Sequence, residues 1–193
     1  MKRKTFWSFG GVMLLSSLLS INLAVAEDYK LDPGHSFIDF RIKHLGYSWL
    51  PGRFNKFSGD FSFDEKNPSQ AKISVDIDPA SIDSNHAERD KHLRGDDFLG
   101  VKKFPKAKFV STSYTDKGNG KGVMKGNFTL RGVTKPISLD VESIGNGPDP
   151  WGGYRRGFVA TTKIALKDFN INYNLGPAST HVDLTLSIEG IRK

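Results

Sequence analysis

A short stretch of the chain gathers four side chains that can bind a metal ion or transfer a proton: His86, Glu88, Asp90 and His92. On a helix, His86 and His92 are six residues apart and point about 120° away from each other. Zinc-binding helices place two ligands at positions i and i+4, and only Glu88 and His92 have that spacing here. The pattern favours a solvated polar face of a helix, and we predict no metal site.

A second arrangement of these side chains would make the protein an enzyme that acts on a lipid. His35 or His92, together with Asp90, could supply a general base for proton transfer. This hypothesis requires that the three side chains meet in space beside a cavity. The sequence has no cysteine nucleophile and no Gly-x-Ser-x-Gly nucleophile elbow. Catalysis is therefore an alternative interpretation, and we assign no catalytic residue.

The composition excludes several other classes of protein. With no cysteine in 193 residues, disulfides, thiolate zinc sites and iron–sulfur clusters are impossible. Hydrophobic residues make up 37% and charged residues 25% of the chain, as in ordinary globular domains. The formal net charge of +7 would by itself suggest nucleic acid or an anionic membrane surface as a partner.

The first 26 residues are typical of a secretory signal peptide. A basic start at residues 2–4 precedes an apolar stretch over 6–25, and an Ala-x-Ala motif ends at Ala26. We predict cleavage after Ala26, a periplasmic location and one domain over residues 27–193. The predicted mature chain keeps 25 basic and 21 acidic residues, a net charge of +4. Because this charge is mild and the protein is secreted, we expect no nucleic-acid partner and no membrane span in the mature chain.

Apolar and polar residues alternate along eight segments of the predicted mature chain, which indicates half-buried β-strands. The segments are 38–42, 57–63, 73–77, 108–114, 124–130, 137–141, 158–166 and 182–188. Most connections are too short for parallel crossovers, so a mainly antiparallel sheet is expected. Residues 84–95 predict one short helix, with Asn85 as N-cap, Glu88 completing a capping box and Gly95 at the end.

Eight strands that each keep one apolar face must close into a barrel or stack as two sheets. Because consecutive segments are joined by short turns, we favour an all-β fold with an eight-stranded antiparallel barrel. A barrel of this size holds either packed side chains or one small ligand. Alternation does not distinguish a hollow interior from a filled one, so a solid-cored sandwich that binds nothing stays open at this point.

Eleven short motifs, taken in order, resemble the YceI-like family. They are the segments 35–40 (HSFIDF), 44–46 (HLG), 52–54 (GRF), 57–59 (FSG), 81–85 (SIDSN), 89–93 (RDKHL), 97–98 (DF), 104–105 (FP), 126–136 (GNFTLRGVTKP), 151–153 (WGG) and 167–169 (KDF). The resemblance implies a lipocalin-like barrel with a helix beside it. It also implies non-covalent binding of a long isoprenoid, such as a prenyl quinone or polyprenyl phosphate, with no required cofactor and no catalysis. Dimers among relatives make a homodimer a further expectation.

The expected cavity leads to positional predictions of a ligand site. The predicted apolar lining consists of Phe40, Ile42, Phe61, Phe128, Phe158 and Leu184. We predict that Arg89, His92 or Trp151 meets the polar head of the ligand. A third interpretation is a structural, stress-related module, which would have a filled barrel and an exposed apolar patch for a protein partner.

Overall fold

The computed structural model describes residues 26–193, so the predicted signal peptide, apart from its last residue, lies outside the described residues. All strand pairs are antiparallel. The strands are β1 (Glu27–Leu31), β2 (Phe37–His44), β3 (Ser48–Phe54), β4 (Phe57–Phe63), β5 (Lys72–Ile77), β6 (Ile82–Asp83), β7 (Ala107–Gly118), β8 (Lys121–Leu130), β9 (Val133–Pro148), β10 (Tyr154–Ala165) and β11 (His181–Arg192). One α-helix, α1 (Ala87–Leu93), follows β6. Within these residues, no helix has the length and apolar character needed to cross a membrane.

Eight of the strands close into a ring in the order β1-β4-β5-β7-β8-β9-β10-β11, and β11 pairs back with β1. The predicted closed, eight-stranded antiparallel barrel with one short helix is therefore confirmed. The membership of the ring differs from the eight predicted segments in one strand. β1 completes the ring, although only Tyr29 and Leu31 of its five residues are buried, which is too little alternation to detect. β2, which alternation did predict, lies outside the closed ring.

Three strands branch from the ring at one end. Along one edge, β11 pairs with β1 near Arg192 and then with β2, where Val182 lies opposite Ile42. β3 pairs with β2 on its far side, and β6 pairs with β3. We call the part of the barrel completed by β1 the closed end, and the part where β2, β3 and β6 diverge the split end.

Helix α1 begins differently from the prediction, although its existence and approximate position are correct. The N-cap is His86, whose Nδ1 accepts a hydrogen bond from the Arg89 backbone N–H at 3.2 Å. Asn85 precedes the cap and has a φ of 61° in the left-handed region. Its backbone N–H donates to Asp83 Oδ1 at 2.9 Å, so an aspartate turn sets the helix entry and moves the cap one residue along.

Aromatic side chains fill the closed end. Tyr29 stacks on Phe61 with ring centroids 4.7 Å apart. Phe158 lies 5.8 Å from Phe61 and 5.3 Å from Phe63, in edge and tilted arrangements that aromatic pairs favour. We call these four residues the aromatic plug. The guanidinium of Arg156, whose side chain is 4% exposed, lies 4.7 Å from the Phe63 ring centroid and covers the plug.

Candidate ligand cavity

An apolar cavity of about 620 Å³ lies in the split end of the barrel. Its walls come mainly from β2, β3, β8 and β11, from helix α1, and from the segment 166–176, and β5, β6, β7 and β10 add one residue each. This volume falls within the range of about 300–1,000 Å³ that small-molecule sites occupy. The barrel is therefore hollow at one end, which answers the question that sequence alternation left open.

The strand register places matching apolar side chains on one wall. Phe40 lies opposite Leu184, and Ile42 lies opposite Val182, so all four face the same side of the β2–β11 pair. Gly52 of β3 lies opposite Phe40 on the other edge of β2. A methyl group at Gly52 would overlap the Phe40 ring. The glycine thus lets this ring lie across β3, against Phe54 at a centroid distance of 5.7 Å.

The polar lining residues include two that α1 contributes, Arg89 and His92. Arg89 Nε donates to Ser84 Oγ at 2.7 Å, and one of its Nη groups donates to the Ser84 carbonyl. Ser84 is held in turn by the buried Asp90, whose Oδ1 accepts from the Ser84 backbone N–H at 2.8 Å. This chain of contacts fixes the guanidinium in one position at the cavity wall.

His92 belongs to a small cluster beside the cavity. Its Nε2 lies 2.9 Å from Asp97 Oδ2. The rings of Phe98 and Tyr173 pack against the imidazole edge-on, with centroid distances of 5.0 and 5.3 Å. Through Tyr173, the helix therefore contacts the irregular segment that forms one side of the cavity.

The structure brings six of the nine predicted site residues to this cavity. They are Phe40, Ile42, Phe128, Leu184, Arg89 and His92. The first four share an inward-facing strand parity, and the last two lie three residues apart on the helix. The apolar and the polar predicted residues therefore lie around one cavity.

The other three predicted residues lie elsewhere. Phe61 and Phe158 line a second cavity of only about 70 Å³ at the closed end, where they pack against each other. Trp151 is 78% exposed in the turn between β9 and β10, with Arg155 5.4 Å from its ring centroid. β10 starts near this turn and reaches the cavity only at Ile164, roughly 33 Å further along an extended strand. The alternation along their strands correctly predicted that the two phenylalanines point into the barrel, but it did not predict at which end of the barrel they lie. Trp151 lies in a turn, where no alternation exists to predict its orientation.

Two groups stand out among the lining residues that sequence reasoning missed. Leu50 and Phe54 of β3 line the cavity, but Pro51 and Gly52 interrupt the alternation that would have identified the strand. Tyr173, Asn174 and Leu175 lie in a segment without regular secondary structure. Leu50, Gly52 and Phe54 share one parity, which is a weak signal, whereas the irregular segment carries no periodic signal at all.

The three side chains that the enzyme hypothesis requires, His35, Asp90 and His92, do not come together beside the cavity. His35 lies in the turn between β1 and β2, where its Nδ1 is 2.8 Å from Asp32 Oδ2. Asp90 is engaged with Ser84, and His92 with Asp97. His35 therefore lies where β1 leaves β11, and of the three side chains only His92 lines the cavity.

Three potential metal ligands do converge at that turn: Asp32, His35 and Glu189. Arg155, however, donates from Nη1 to Asp32 at 2.7 Å and to Glu189 at 2.6 Å. Hydrogen bonds from Arg155 and His35 hold the pKa of Asp32 at about 2. A guanidinium thus occupies the position between the carboxylates, and the cluster is an ion-pair network that ties β1, β10 and β11 together.

The fold and cavity define a lipocalin-like antiparallel barrel with an apolar internal site. The chain belongs to the YceI-like family, because the YceI-like domain matches residues 29–190. It is 56% identical over 179 residues to a UPF0312 protein of Shewanella sp. (strain MR-4), with 92% of this chain and 94% of that protein covered. The family resemblance of the motifs is thereby confirmed.

Two solved structures have a similar fold. The Campylobacter jejuni YceI protein superposes with a TM-score of 0.71 and 34% identity, over 79% of this chain and 90% of that one. A polyisoprenoid binding domain from Saccharophagus degradans superposes with a TM-score of 0.62 and 17% identity, over 86% of this chain and 98% of that one. At 17% identity, the second comparison establishes the shared fold.

Proposed function

We propose that this protein binds a long-chain isoprenoid or a similar amphiphilic lipid non-covalently in the split-end cavity. The observation that carries the proposal is the apolar volume of about 620 Å³ that the chain's own side chains leave unfilled. The Saccharophagus degradans domain of the same fold, described as polyisoprenoid binding, supports this ligand class. The tail contacts the lining residues Phe40, Ile42, Phe128 and Leu184, and the head lies near Arg89 and His92.

The size of the cavity sets the length of tail that it encloses. At roughly 30 Å³ for each water-sized group, about 620 Å³ holds on the order of 20 carbon atoms, or four isoprene units. Burial of each carbon contributes roughly 0.8 kcal/mol, so a fifteen-carbon tail gains about 12 kcal/mol before the cost of ordering. That cost leaves affinity on the order of micromolar. A longer tail extends out of the mouth, because the aromatic plug blocks the other end.

The proposal assigns carriage or storage and no reaction. It places the protein in the periplasm on the basis of the predicted signal peptide, and it needs no cofactor. A homodimer stays a prediction. The alternative of a filled protein-interaction module is disfavoured because the split end is hollow.

Ligand extraction tests the proposal. Protein purified without detergent is extracted with organic solvent and analysed by mass spectrometry, and farnesol is titrated into the delipidated protein. We expect a near-stoichiometric isoprenoid or related lipid, and saturable farnesol binding on the order of micromolar.

A matched pair of variants locates the site. Val182→Trp projects an indole ring into the cavity and takes up part of its volume, and we expect it to weaken farnesol binding at least about tenfold. Val110→Trp places the same ring at a position that is 40% exposed and outside the cavity lining, and should bind as the unmodified protein does. Repeated lipid-free preparations that also fail to bind farnesol would refute the proposal. So would equal binding by the two variants.

A further inference from the structure

The charged groups around the cavity are of one sign. Among the described residues that line it, none is aspartate or glutamate, whereas Lys43, His44, Arg89 and His92 are present. Lys43 directs its Nζ to the Trp49 ring, 4.6 Å from the centroid, and so contributes no charge inside. Asp97, the carboxylate next to His92, is engaged with that histidine. Arg89 is therefore the permanent charge that lies at the cavity wall.

The guanidinium of Arg89 has donors to spare. An arginine carries five N–H donors, and the two hydrogen bonds that this one makes both go to Ser84. Asp90 reaches it only indirectly, through the Ser84 hydroxyl that it accepts from. Five other arginines of the described chain form ion pairs with carboxylates: Arg41, Arg53, Arg155, Arg156 and Arg192. Arg94 and Arg131 donate to backbone carbonyls, and neither lines the cavity.

A cation at the edge of an apolar cavity favours an anionic partner. Its hydration is reduced on the cavity side, and a carboxylate or phosphate compensates for that loss with short, charge-assisted hydrogen bonds. The planar guanidinium suits both groups, because it can donate two parallel hydrogen bonds to them. A quinone carbonyl or an alcohol accepts one hydrogen bond and brings no negative charge to the guanidinium.

From this arrangement we infer that the amphiphile bound in the cavity carries an acidic head, a carboxylate or a phosphate monoester, which Arg89 holds while the apolar tail fills the cavity. The inference rests on the proposed function and narrows its ligand class. The two contacts with the buried Ser84 position the guanidinium before the ligand arrives, which reduces the entropy lost on binding. Arg89 is thus the residue that discriminates acidic from neutral heads.

Probes with one tail and different heads test the inference. Farnesyl phosphate, farnesoic acid and farnesol are titrated into the delipidated protein by calorimetry, and inorganic phosphate is added as a competitor. We expect the two acids to bind at least about tenfold more tightly than farnesol, as a hydrogen-bonded charge pair provides. Inorganic phosphate should not compete at equal concentration, because it lacks the tail.

Substitution of the arginine assigns the effect to its charge. Arg89→Gln should abolish the difference in affinity between the two acids and farnesol, so the ratio of these affinities is the readout. Lys91→Gln removes the same charge from the same helix at a side chain that is 79% exposed and outside the cavity, and should change nothing. Arg89→Lys keeps the positive charge but cannot donate two parallel hydrogen bonds, and it should retain part of the preference for the acids over farnesol. Thermal unfolding of each variant verifies that it is folded.

The outcomes distinguish a failure of the acidic-head inference from a failure of the proposed lipid binding. If farnesol and the acids bind equally to the unmodified protein, the inference is wrong and the proposed function stands. If none of the three binds, the proposed function itself is wrong. Competition by inorganic phosphate as strong as that by farnesyl phosphate would also overturn the inference, because the site would then recognise phosphate without a lipid.

Discussion

The closed end and the split end of this barrel share four long strands but differ in what their interiors contain. β7, β8, β10 and β11 contribute side chains to both cavities. At the closed end, the aromatic plug leaves only about 70 Å³, whereas the split end leaves about 620 Å³. Phenylalanines line both ends, so the kind of residue does not explain the difference. The comparison shows that the partner strand of β11 decides whether the inward-facing side chains pack against one another or leave a cavity.

The change of pairing occurs along β11, next to Glu189. Asp32 ends the β1 contact with a hydrogen bond from its backbone N–H to the Glu189 carbonyl at 2.9 Å. The hydroxyl of Ser36, a residue that is 2% exposed, then donates to the same carbonyl at 3.1 Å and accepts from the Glu189 N–H at 2.9 Å. A side chain thus satisfies the backbone of β11 where one partner strand leaves and the next begins.

The largest contrast is expected from removing one ring at each end. Phe61→Ala takes away a ring that packs against Tyr29 and Phe158, and should destabilise the protein by about 3–5 kcal/mol. Phe40→Ala enlarges a cavity that already exists, and should cost about half as much or less. Urea unfolding measures both values.

Farnesol titration adds a second readout to this pair. Only Phe40→Ala should weaken farnesol binding, because Phe61 lies outside the split-end cavity. If Phe61→Ala and Phe40→Ala lowered stability equally and weakened farnesol binding equally, the two ends would not differ in packing or in ligand binding.

A smaller contrast is expected from adding atoms instead of removing them. Ala160→Leu adds three carbons of roughly 30 Å³ each beside a space of about 70 Å³, and overpacking should cost about 1–3 kcal/mol. Ala107→Leu adds the same group beside the large cavity, and should change the free energy of unfolding by less than about 1 kcal/mol. Denaturant unfolding of both variants makes the comparison, and a larger cost for Ala107→Leu would contradict it.

The smallest effect on stability is expected at the junction between the two ends, where Asp32 and Ser36 contact Glu189 of β11. The pKa of Asp32 is lowered to about 2 from an ordinary value of 3.8, first by Arg155 and then by His35. Because the folded-state pKa is the lower one, this carboxylate stabilises the fold above pH 4 and loses that contribution as the pH falls from about 4 to 2. Asp32→Asn should lower stability at neutral pH by about 1 kcal/mol and flatten its decline between pH 4 and 2.

The pH dependence of urea unfolding checks this prediction. Asp140→Asn, at an exposed position of β9, is the control and should leave the profile unchanged. An Asp32→Asn profile that coincides with that of the unmodified protein would mean that the network at the junction contributes no stability.

Much of the barrel could be predicted from the sequence because a strand reports its buried face locally. Period-two alternation identified seven of the eight ring strands as well as β2, and it oriented Phe40, Ile42, Phe128 and Leu184 inward. β1, β3 and β6 escaped detection. β1 and β6 are short, and Pro51 and Gly52 interrupt β3. The helix was found, but its N-cap was misplaced by one residue, since the preceding aspartate turn was not recognised.

By itself the sequence determined which residues share one face of a strand in most of the strands, because the two faces alternate with every residue and need no knowledge of distant contacts. It did not determine that Phe61 lies in a filled end and Phe40 beside a cavity, since both have the same local pattern. Only the tertiary structure decided this. The volume enclosed depends on whether β1 or β2 pairs with β11, which is a contact between opposite ends of the chain.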